Sequence, residues 1–375
     1  MKKIVLSRLD GYLSDHNIIN NRQHGFRSKR GTQTAITTAY EYASQGLANK
    51  KQCYIILRDV AKAFDKVWHA GLKYKILRLG LPDILEKILS TFLDNRTAKI
   101  KIGKELSKNI NLKSGVPQGS VLSPSLYTLY TNDLPLAGPG CCDVMYADDV
   151  TQIITADTKS KAMMKLKVER EINRINKFEH LWKIKTSENK FKILPLAHYK
   201  IKDIAINNKL IGKSNEGRLL GLKLKTTGIT GHISDKINKA TAALTKLYRF
   251  ASLTPEIKTT LVKTLLLPIL EYPPIPLICA SKTQQLKMQR VLNKAMRFIF
   301  RHDNRQFSLQ QMHEITNIKP INISLHNKAK RIWETLRFTD EETYNTLTAN
   351  TSPSHYWFPT SQTVIDSPTP DPIYT

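Results

Sequence analysis

The stretch that decides the fold is CDVMYADDVTQII at residues 142–154. Apolar-rich runs flank two adjacent acids, and this pattern predicts a β-hairpin with Asp148 and Asp149 at its turn. Crowded carboxylates repel each other and are stabilised by a cation, and hard oxygen ligands of this kind suit Mg²⁺. Adjacent acids in loops are usually solvated and structural, so the rest of the chain has to decide between the two interpretations.

Another acid follows a buried strand earlier in the chain. The apolar run CYIIL at residues 53–57 predicts this strand, and Asp59 lies at its carboxyl end. Helical patterns follow over residues 69–79 and 82–93. Strand alternation turns Arg58 to the face opposite Asp59, where a buried guanidinium would need a partner.

Between these acids lies a loop that contains two glycines. Residues 97–112 alternate around Gly103 and predict a hairpin, which leads into SGVPQGS at 114–120 and then into a helix. From about residue 159 to 182 apolar residues recur at helical spacing, and we interpret this stripe as core rather than as a cofactor site. Its members are Met164, Val168, Ile172, Ile175 and Trp182.

The second half of the chain reads as mainly helical. Stretches at about 232–251, 256–270 and 281–300 are rich in Lys, Arg and Leu and contain little strand signal, so they predict a separate helical subdomain. The last 35 or so residues are crowded with Ser, Thr and Pro and have no periodic apolar pattern. We therefore predict a flexible tail over 338–375.

The charge of the chain indicates a polyanionic partner. There are 58 Lys and Arg against 31 Asp and Glu, a net charge of +27. No basic residue follows Arg337, and five of the acids lie beyond it, so the preceding part carries 58 bases, 26 acids and +32. No apolar run approaches the roughly 18 to 20 residues of a spanning helix, so we expect no membrane partner. The opening residues lack the core of a signal peptide.

The cysteines indicate neither a zinc site nor a disulfide framework. The chain has four cysteines, and they show no paired spacing and no neighbouring histidine cluster. A reducing compartment is the simplest interpretation. The segment His313-Glu314 also lacks the second histidine of a zinc protease helix, and no phosphate-loop or dinucleotide glycine pattern is present.

Three strings in a fixed order resemble the reverse transcriptase family. They are DVAKAFD at 59–65, SGVPQGSVLSP at 114–124 and YADD at 146–149, and Asp59 and Asp148 lie 89 positions apart. QHGFR at 23–27, followed by Gly31-Thr32, resembles a fingers motif that contacts template, and WKIKTSENK at 182–190 resembles a palm motif of the family. RLLGL at 218–222 resembles a primer grip. The segment Leu286–Arg297, with Gln289, Asn293 and Lys294, is similar to the thumb of jockey-type non-LTR elements.

The resemblance covers about residues 1–335 and implies an α+β right-hand polymerase fold. The expected divisions are partial fingers at 1–50, a palm with the remaining fingers at 51–225, a helical thumb and connection at 226–337, and the tail. The implied activity is that of a non-LTR retrotransposon RNA-directed DNA polymerase. Its implied partners are an RNA template, a DNA primer or target DNA, and dNTPs, within a cytoplasmic and nuclear ribonucleoprotein. The oligomeric state is left open.

The same resemblance implies a role for each site residue. Asp59, Asp148 and Asp149 would bind two Mg²⁺ ions, with Mn²⁺ as an alternative, and Lys190 would protonate or neutralise the departing pyrophosphate. Phe64 would exclude a 2′-hydroxyl, while Gln118, Gly119 and Tyr146 would contact the nascent base pair and substrate. Basic residues expected on template phosphates are Arg27, Lys29 and Arg30.

Each role has a structural alternative. Phe64 could equally be a core aromatic, and Gln118 and Gly119 could form a simple turn. Lys190 could be a solvated lysine, and the basic residues near Arg27 could form a solvated loop. Asp65 we interpret as a helix-capping or structural group and not as a metal ligand.

The chain departs from the family pattern in three ways, and one of them is Arg58, because related sequences usually carry an apolar residue at this position. The family's fingers include an Arg-Pro segment upstream of the helix where this sequence opens, so we expect weak polymerisation by this chain alone. Neither an endonuclease nor a Cys/His knuckle is visible. Two other hypotheses are therefore kept: a catalytically weak fragment that binds RNA and DNA, and a domesticated binding protein without chemistry.

Overall fold

The strands predicted around the acids form one antiparallel sheet at the centre of the fold. A computed structural model describes residues 2–197, 204–206, 209–211, 214–301, 306–349 and 359–374. In its first half the helices are α1 (Lys2–Asp15), α2 (Thr32–Ala48), α3 (His69–Arg78), α4 (Asp83–Leu93), α5 (Ser123–Thr131) and α6 (Lys161–Leu181). The strands there are β1 (Gln52–Asp59), β2 (Thr97–Ala98), β3 (Lys101–Ile102), β4 (Glu105–Leu106), β5 (Ile110–Asn111), β6 (Cys141–Tyr146), β7 (Asp149–Ala156) and β8 (Lys192–Pro195).

The later part of the chain adds short strands and then a helical layer. Its strands are β9 (Ile204–Ile206), β10 (Lys209–Ile211), β11 (Glu216–Leu219) and β12 (Leu222–Lys225). Its helices are α7 (Thr230–Leu247), α8 (Pro255–Leu261), α9 (Leu267–Glu271), α10 (Pro274–Ile278), α11 (Lys282–Ile299), α12 (Leu309–Thr316), α13 (Ile321–Thr339), α14 (Glu341–Thr348) and α15 (Gln362–Ile365).

Strand β1 lies inside the sheet, whose order is β6-β7-β1-β8. Its alternate side chains enter two different cores. Cys53, Ile55 and Leu57 pack with α2 and the C-terminal helices, whereas Tyr54 and Ile56 pack with α6. Because both faces of β1 are covered, the strand is a continuous apolar run rather than an alternating one.

Helices α1, α3, α4 and α5 form a separate core, which also includes Val60 and Ala63 just beyond the end of β1. Leu9, Leu72, Ile76 and Leu126 are fully buried in it, and Phe64 and Trp182 pack against its edge. This layer holds the segments that follow β1 and precede β6. It therefore sets the position of the loops at the carboxyl end of β1.

The helices predicted from periodicity are confirmed. Helix α6 coincides with the predicted 159–182 stretch, and α7 and α11 with those at 232–251 and 281–300. The stretch at 256–270 is one helical run in which α8 and α9 are joined by a π-helical turn at Val262–Leu266. The hairpin around Gly103 is also confirmed, as two short ladders, β2 with β5 and β3 with β4.

The prediction of a flexible tail is wrong for its described residues. Helix α14 begins at Asp340, whose carboxylate accepts a hydrogen bond from the Thr343 amide at 3.0 Å. Leu347 is buried, and the Ser361 amide donates to both carboxylate oxygens of Glu41 at 3.0 and 3.2 Å. The segment is held by backbone and capping groups and by isolated apolar side chains, so hydrophobic periodicity does not reveal it.

Among the residues that the structure describes, no helix is both long and apolar enough to cross a bilayer. All four cysteines are free thiols, and Cys53 is fully buried.

Candidate active site

Strand β1 and the hairpin of β6 and β7 bring the three acids to one end of the sheet. Asp59 is the last residue of β1, and its Cα pairs with that of Asp149, the first residue of β7. Asp148 lies in the intervening turn, between Tyr146 at the end of β6 and Asp149. Asp148 and Asp149 are half-buried. The hairpin prediction is thus confirmed, with Asp149 in the strand rather than in the turn.

Crowding and burial disfavour the ionised forms of these acids. Burial, followed by the charges of Asp148 and Asp59, raises the pKa of Asp149 to about 6. Burial also raises the pKa of Asp148, and the charge of Asp59 adds to this effect. A positive charge placed among these carboxylates would reverse the effect.

Lys190 places a cation next to the acids. Its ammonium lies 2.8 Å from the Asp59 carboxylate, and the side chain is 64% exposed. The hydrogen bond to Asp59 and its charge raise the pKa of Lys190. Lys190 therefore carries a proton next to the carboxylates.

The donor set fits Mg²⁺. Three carboxylates supply hard oxygen atoms, and their mutual repulsion is relieved by a divalent cation. The described residues contain no group of three His, Cys, Asp or Glu already gathered in metal-binding geometry. Asp59, Asp148 and Asp149 are thus neighbours whose side chains would have to turn toward a common ion.

Gln23 and Gly25 support the acidic turn, a role that no pattern in the sequence indicates. The Gln23 side-chain oxygen accepts hydrogen bonds from the Ala147 amide at 3.0 Å and the Gly25 amide at 2.8 Å. A Cβ at Gly25 would lie 2.4 Å from the Ala147 nitrogen. The partners are more than 120 residues apart, so no local pattern could have shown this contact.

Phe64 lies in the turn just after β1, beside the acids. Its ring stacks on Tyr127 with centroids 5.3 Å apart and meets Phe26 edge-on at 6.4 Å. The ring is half-buried, so it combines packing with an accessible surface. This placement is compatible with both the steric role and the core role.

The loop at 114–120 approaches the same turn. The Gln118 amide donates to the Asp65 carboxylate at 3.0 Å, and Gly119 has a φ of +85° in a turn closed by the Ser120 amide on the Pro117 carbonyl at 3.1 Å. Gln118 and Gly119 are exposed. Asp65 therefore acts as a structural acceptor for this loop, and the described contacts include no helix-capping bond from it.

A cavity of about 370 Å³ opens beside the acids. It is lined by Asp59, Asp149, Lys190 and residues Arg218–Gly221, which form the end of β11 and the turn that leads to β12. The Leu220 carbonyl in this turn accepts a hydrogen bond from the Tyr272 hydroxyl at 2.7 Å. The segment that resembles a primer grip is thus fixed next to the carboxylates by the C-terminal helical layer.

Arg30 has protein partners of its own, and its role on template phosphates stays a prediction. Its side chain is 2% exposed, forms an ion pair with Asp340 at 3.2 Å and donates to the Thr339 carbonyl at 2.7 Å. Arg27 is half-buried and donates to the Asn20 carbonyl at 3.0 Å. Burial, followed by the charge of Arg30, lowers the pKa of Arg27 to about 10. Lys29 is exposed, so its role on template stays a prediction.

Helix α11 uses two of its polar residues inside the protein. Gln289 is fully buried, accepts from the Ile321 amide at 2.8 Å and donates to the Asn293 side chain at 2.7 Å. Asn293 in turn donates to the Tyr374 carbonyl at 2.6 Å. These residues therefore join α11 to α13 and to the C-terminal segment.

Comparisons with known proteins match the chain to a protein family and to individual relatives. The family model described as reverse transcriptase (RNA-dependent DNA polymerase) matches residues 1–224. The chain is 27% identical over 318 residues to the RNA-directed DNA polymerase from mobile element jockey of Drosophila melanogaster, covering 80% of this chain and 34% of that protein. It is 25% identical over 310 residues to the probable RNA-directed DNA polymerase from transposon X-element of the same species, with the same coverage.

The chain spans about a third of the length of these curated relatives. Among solved structures, telomerase from Candida tropicalis in complex with a fragment of telomeric RNA has a TM-score of 0.46 and 13% identity. The match covers 97% of this chain and 56% of that chain.

Proposed function

The chain belongs to the reverse transcriptase (RNA-dependent DNA polymerase) family, and from this premise we propose that it is an RNA-directed DNA polymerase of a non-LTR retrotransposon. One observation carries the proposal: Asp59 and Asp149 pair across the end of the sheet, with Asp148 in the adjoining turn and Lys190 bonded to Asp59. The reaction would join a dNTP to a primer 3′-hydroxyl opposite an RNA template.

The carboxylates Asp59, Asp148 and Asp149 would hold two Mg²⁺ ions, with Mn²⁺ as a substitute. When bound, such ions lower the pKa of the attacking hydroxyl and stabilise charge on the transferred phosphate. The raised pKa values of Asp148 and Asp149 support this assignment, because both acids gain from a nearby positive charge.

The chain's own side chains would then orient the substrates. Lys190 holds a proton on Nζ next to Asp59 and would give it to, or neutralise, the departing pyrophosphate. The Phe64 ring would lie under the sugar, and Tyr146 next to the acids would contact the substrate. The exposed Gln118-Gly119 turn would lie against the templating base pair.

We assign the regions of the right-hand fold as 1–50 for partial fingers, 51–225 for palm and remaining fingers, and 226–337 for the thumb and connection. A net charge of +27 supports RNA template and DNA primer as the polyanions held between them. A cytoplasmic and nuclear ribonucleoprotein is the location that we propose for such a protein.

A binding protein without chemistry is the second candidate. It rests on the net charge of +27, which supports binding of RNA and DNA whether or not the acids are catalytic. RNA-templated primer extension at defined salt separates the two candidates. The polymerase proposal expects Mg²⁺-dependent addition of dNTPs that a chelator abolishes, whereas heteroduplex binding with no extension in either Mg²⁺ or Mn²⁺ would favour the binding protein.

A further inference from the structure

Arg58 is a buried cation directly beside the catalytic acid Asp59. The residue is 3% exposed, and its side chain points toward α6, on the face of β1 opposite Asp59. Its guanidinium group donates to four acceptors and lies over the Phe191 ring, whose centroid is 5.0 Å away. The acceptors are the Gln152 side chain at 3.1 Å, the Asn176 side chain at 2.9 Å, the Ile172 carbonyl at 2.9 Å and the Glu179 carboxylate at 3.3 Å.

The Glu179 carboxylate links this cluster to the loop that carries Lys190. Besides Arg58, it accepts a hydrogen bond from the Thr186 hydroxyl at 2.5 Å. Thr186 forms a β-bridge with Val60, one residue beyond Asp59. Arg58 is thus connected through Glu179 and Thr186 to the loop 183–190.

The same loop is bound to the end of β1 through the backbone. The Ser187 amide donates to the Asp59 carbonyl at 2.7 Å, and the Ala61 amide donates to the Lys185 carbonyl at 2.8 Å. Lys190, at the end of the loop, also contacts the Asp59 carboxylate at 2.8 Å. The loop is therefore held both by Asp59 and, through Glu179, by Arg58 on the opposite face of β1.

We propose that Arg58 is a positioning residue. It holds α6 and the loop 183–190 against the end of β1 and so keeps the Lys190 ammonium next to the Asp59 carboxylate. The inference rests on the proposed polymerase function for its catalytic consequence. Its structural part stands on the contacts of Arg58, Glu179 and Thr186 alone.

The chemistry of the guanidinium explains why other residues would serve less well. Its fork reaches several acceptors at once, whereas a lysine ammonium is a point charge on a flexible stem. An apolar residue at position 58 would leave the Glu179 carboxylate without its cation and several buried acceptors without donors. Either change weakens the contact between α6 and the end of β1, although the apolar packing of α6 on Tyr54 and Ile56 remains, and loosens the loop.

Arg58→Lys and Thr186→Val, made in the full chain, test the two contacts of Glu179 that connect Arg58 to the loop. Thr186→Val removes the link to Glu179 but leaves the buried ion pair intact, so it remains informative if changes at Arg58 prevent folding. Arg22→Lys is the matched control, because Arg22 is another largely buried guanidinium paired with a carboxylate, Asp143 at 3.1 Å, and it contacts neither β1 nor the loop.

Amide hydrogen exchange of residues 183–190 is the readout that does not depend on activity. We expect roughly five- to tenfold faster exchange in Arg58→Lys and Thr186→Val, the effect of losing about one hydrogen bond, and no change in the control. The Mg²⁺ concentration for half-maximal primer extension should rise in the same two variants. Enzyme concentration is corrected for active fraction, so that a loss of folded protein does not imitate the effect.

Unchanged exchange of the loop in both variants would overturn the proposed connection between Arg58 and the loop. Faster exchange with the same Mg²⁺ requirement as the Arg22→Lys control would overturn the positioning role. If the unmodified chain extends no primer in Mg²⁺ or Mn²⁺, the proposed function fails, and loop exchange alone still decides whether Arg58 holds the loop.

Discussion

Gly25 tests, at the scale of single residues, whether the acidic turn needs its support from the N-terminal loop. A Cβ at this position would lie 2.4 Å from the Ala147 nitrogen, so Gly25→Ala forces the backbone of residue 25 and the turn that carries Asp148 apart. A displacement near 1 Å at reacting groups costs about a hundredfold in rate. We therefore expect primer extension by Gly25→Ala to fall about a hundredfold, measured at saturating nucleotide.

Gly11→Ala is the matched control, because a Cβ there has no neighbour within 4 Å and Gly11 lies in helix α1. This variant should extend primers normally and unfold at the same or a slightly higher temperature. Normal extension by Gly25→Ala would show that the turn tolerates the contact.

Phe64 tests how the site selects the sugar. Removing most of the ring in Phe64→Val should raise ribonucleotide incorporation relative to deoxynucleotide roughly tenfold, because the barrier to a 2′-hydroxyl disappears. The measurement is the ratio of kcat/KM for matched rNTP and dNTP. Phe26→Val is the control, since it removes the 6.4 Å edge-on contact with Phe64 while leaving the Phe64 ring in place. An unchanged ratio would mean that Phe64 contributes to packing and not to the selection of the sugar.

Single residues show where sequence reasoning succeeds and where it stops. The resemblance of the strings around Asp59, Asp148 and Asp149 to a known family implied a shared site, and the structure brings the three acids to one end of the sheet. The role of Gln23 and the burial of Arg30 depend on contacts across more than 120 and 300 residues. Such contacts leave no local pattern in a single sequence.

At the scale of elements, Glu41 in helix α2 reports on docking of the C-terminal segment. Glu41 is fully buried and receives the Ser361 amide, and burial raises its pKa to about 7. The folded chain therefore keeps a proton that the unfolded chain loses from about pH 4.5 upward. Stability from this group is fully present below that pH and is lost as pH rises to about 7.

Glu41→Gln should remove this dependence. Unfolding free energies of the two chains, measured across that pH window, should diverge by about 3 kcal/mol, with the wild type losing stability relative to the variant as pH rises. The comparison cancels the titration of groups that both chains share. Parallel curves would mean that Glu41 is not buried against Ser361 in solution.

The elements themselves were predictable where their own sequence carried the pattern. Helices α6, α7 and α11 have apolar stripes at helical spacing, and β1 is a continuous apolar run covered on both faces. Helix α14 has one buried apolar residue, Leu347, and owes its position to Asp340 and to the Gln45–Leu347 hydrogen bond. Its stability comes from partners elsewhere in the chain, so composition indicated a flexible tail.

At the scale of the whole molecule, the charge of the chain predicts strongly salt-dependent binding. A net charge of +27 that engages about six phosphates should lose roughly 10³-fold in heteroduplex affinity between about 50 and 200 mM salt. The slope of log Kd against log salt concentration measures the number of phosphates neutralised. Affinity that does not change with salt would contradict a basic surface that follows the nucleic acid.

The central claim is that the acids at the end of the sheet perform RNA-templated DNA synthesis, and Asp148→Asn tests it most directly. The measurement is the rate of first-nucleotide addition to a DNA primer on an RNA template in Mg²⁺, with heteroduplex Kd determined on the same preparations. Removing one carboxylate charge from a site that faces a polyanion should reduce addition to background and leave the Kd unchanged or slightly lower. Addition at the wild-type rate by Asp148→Asn would contradict the account.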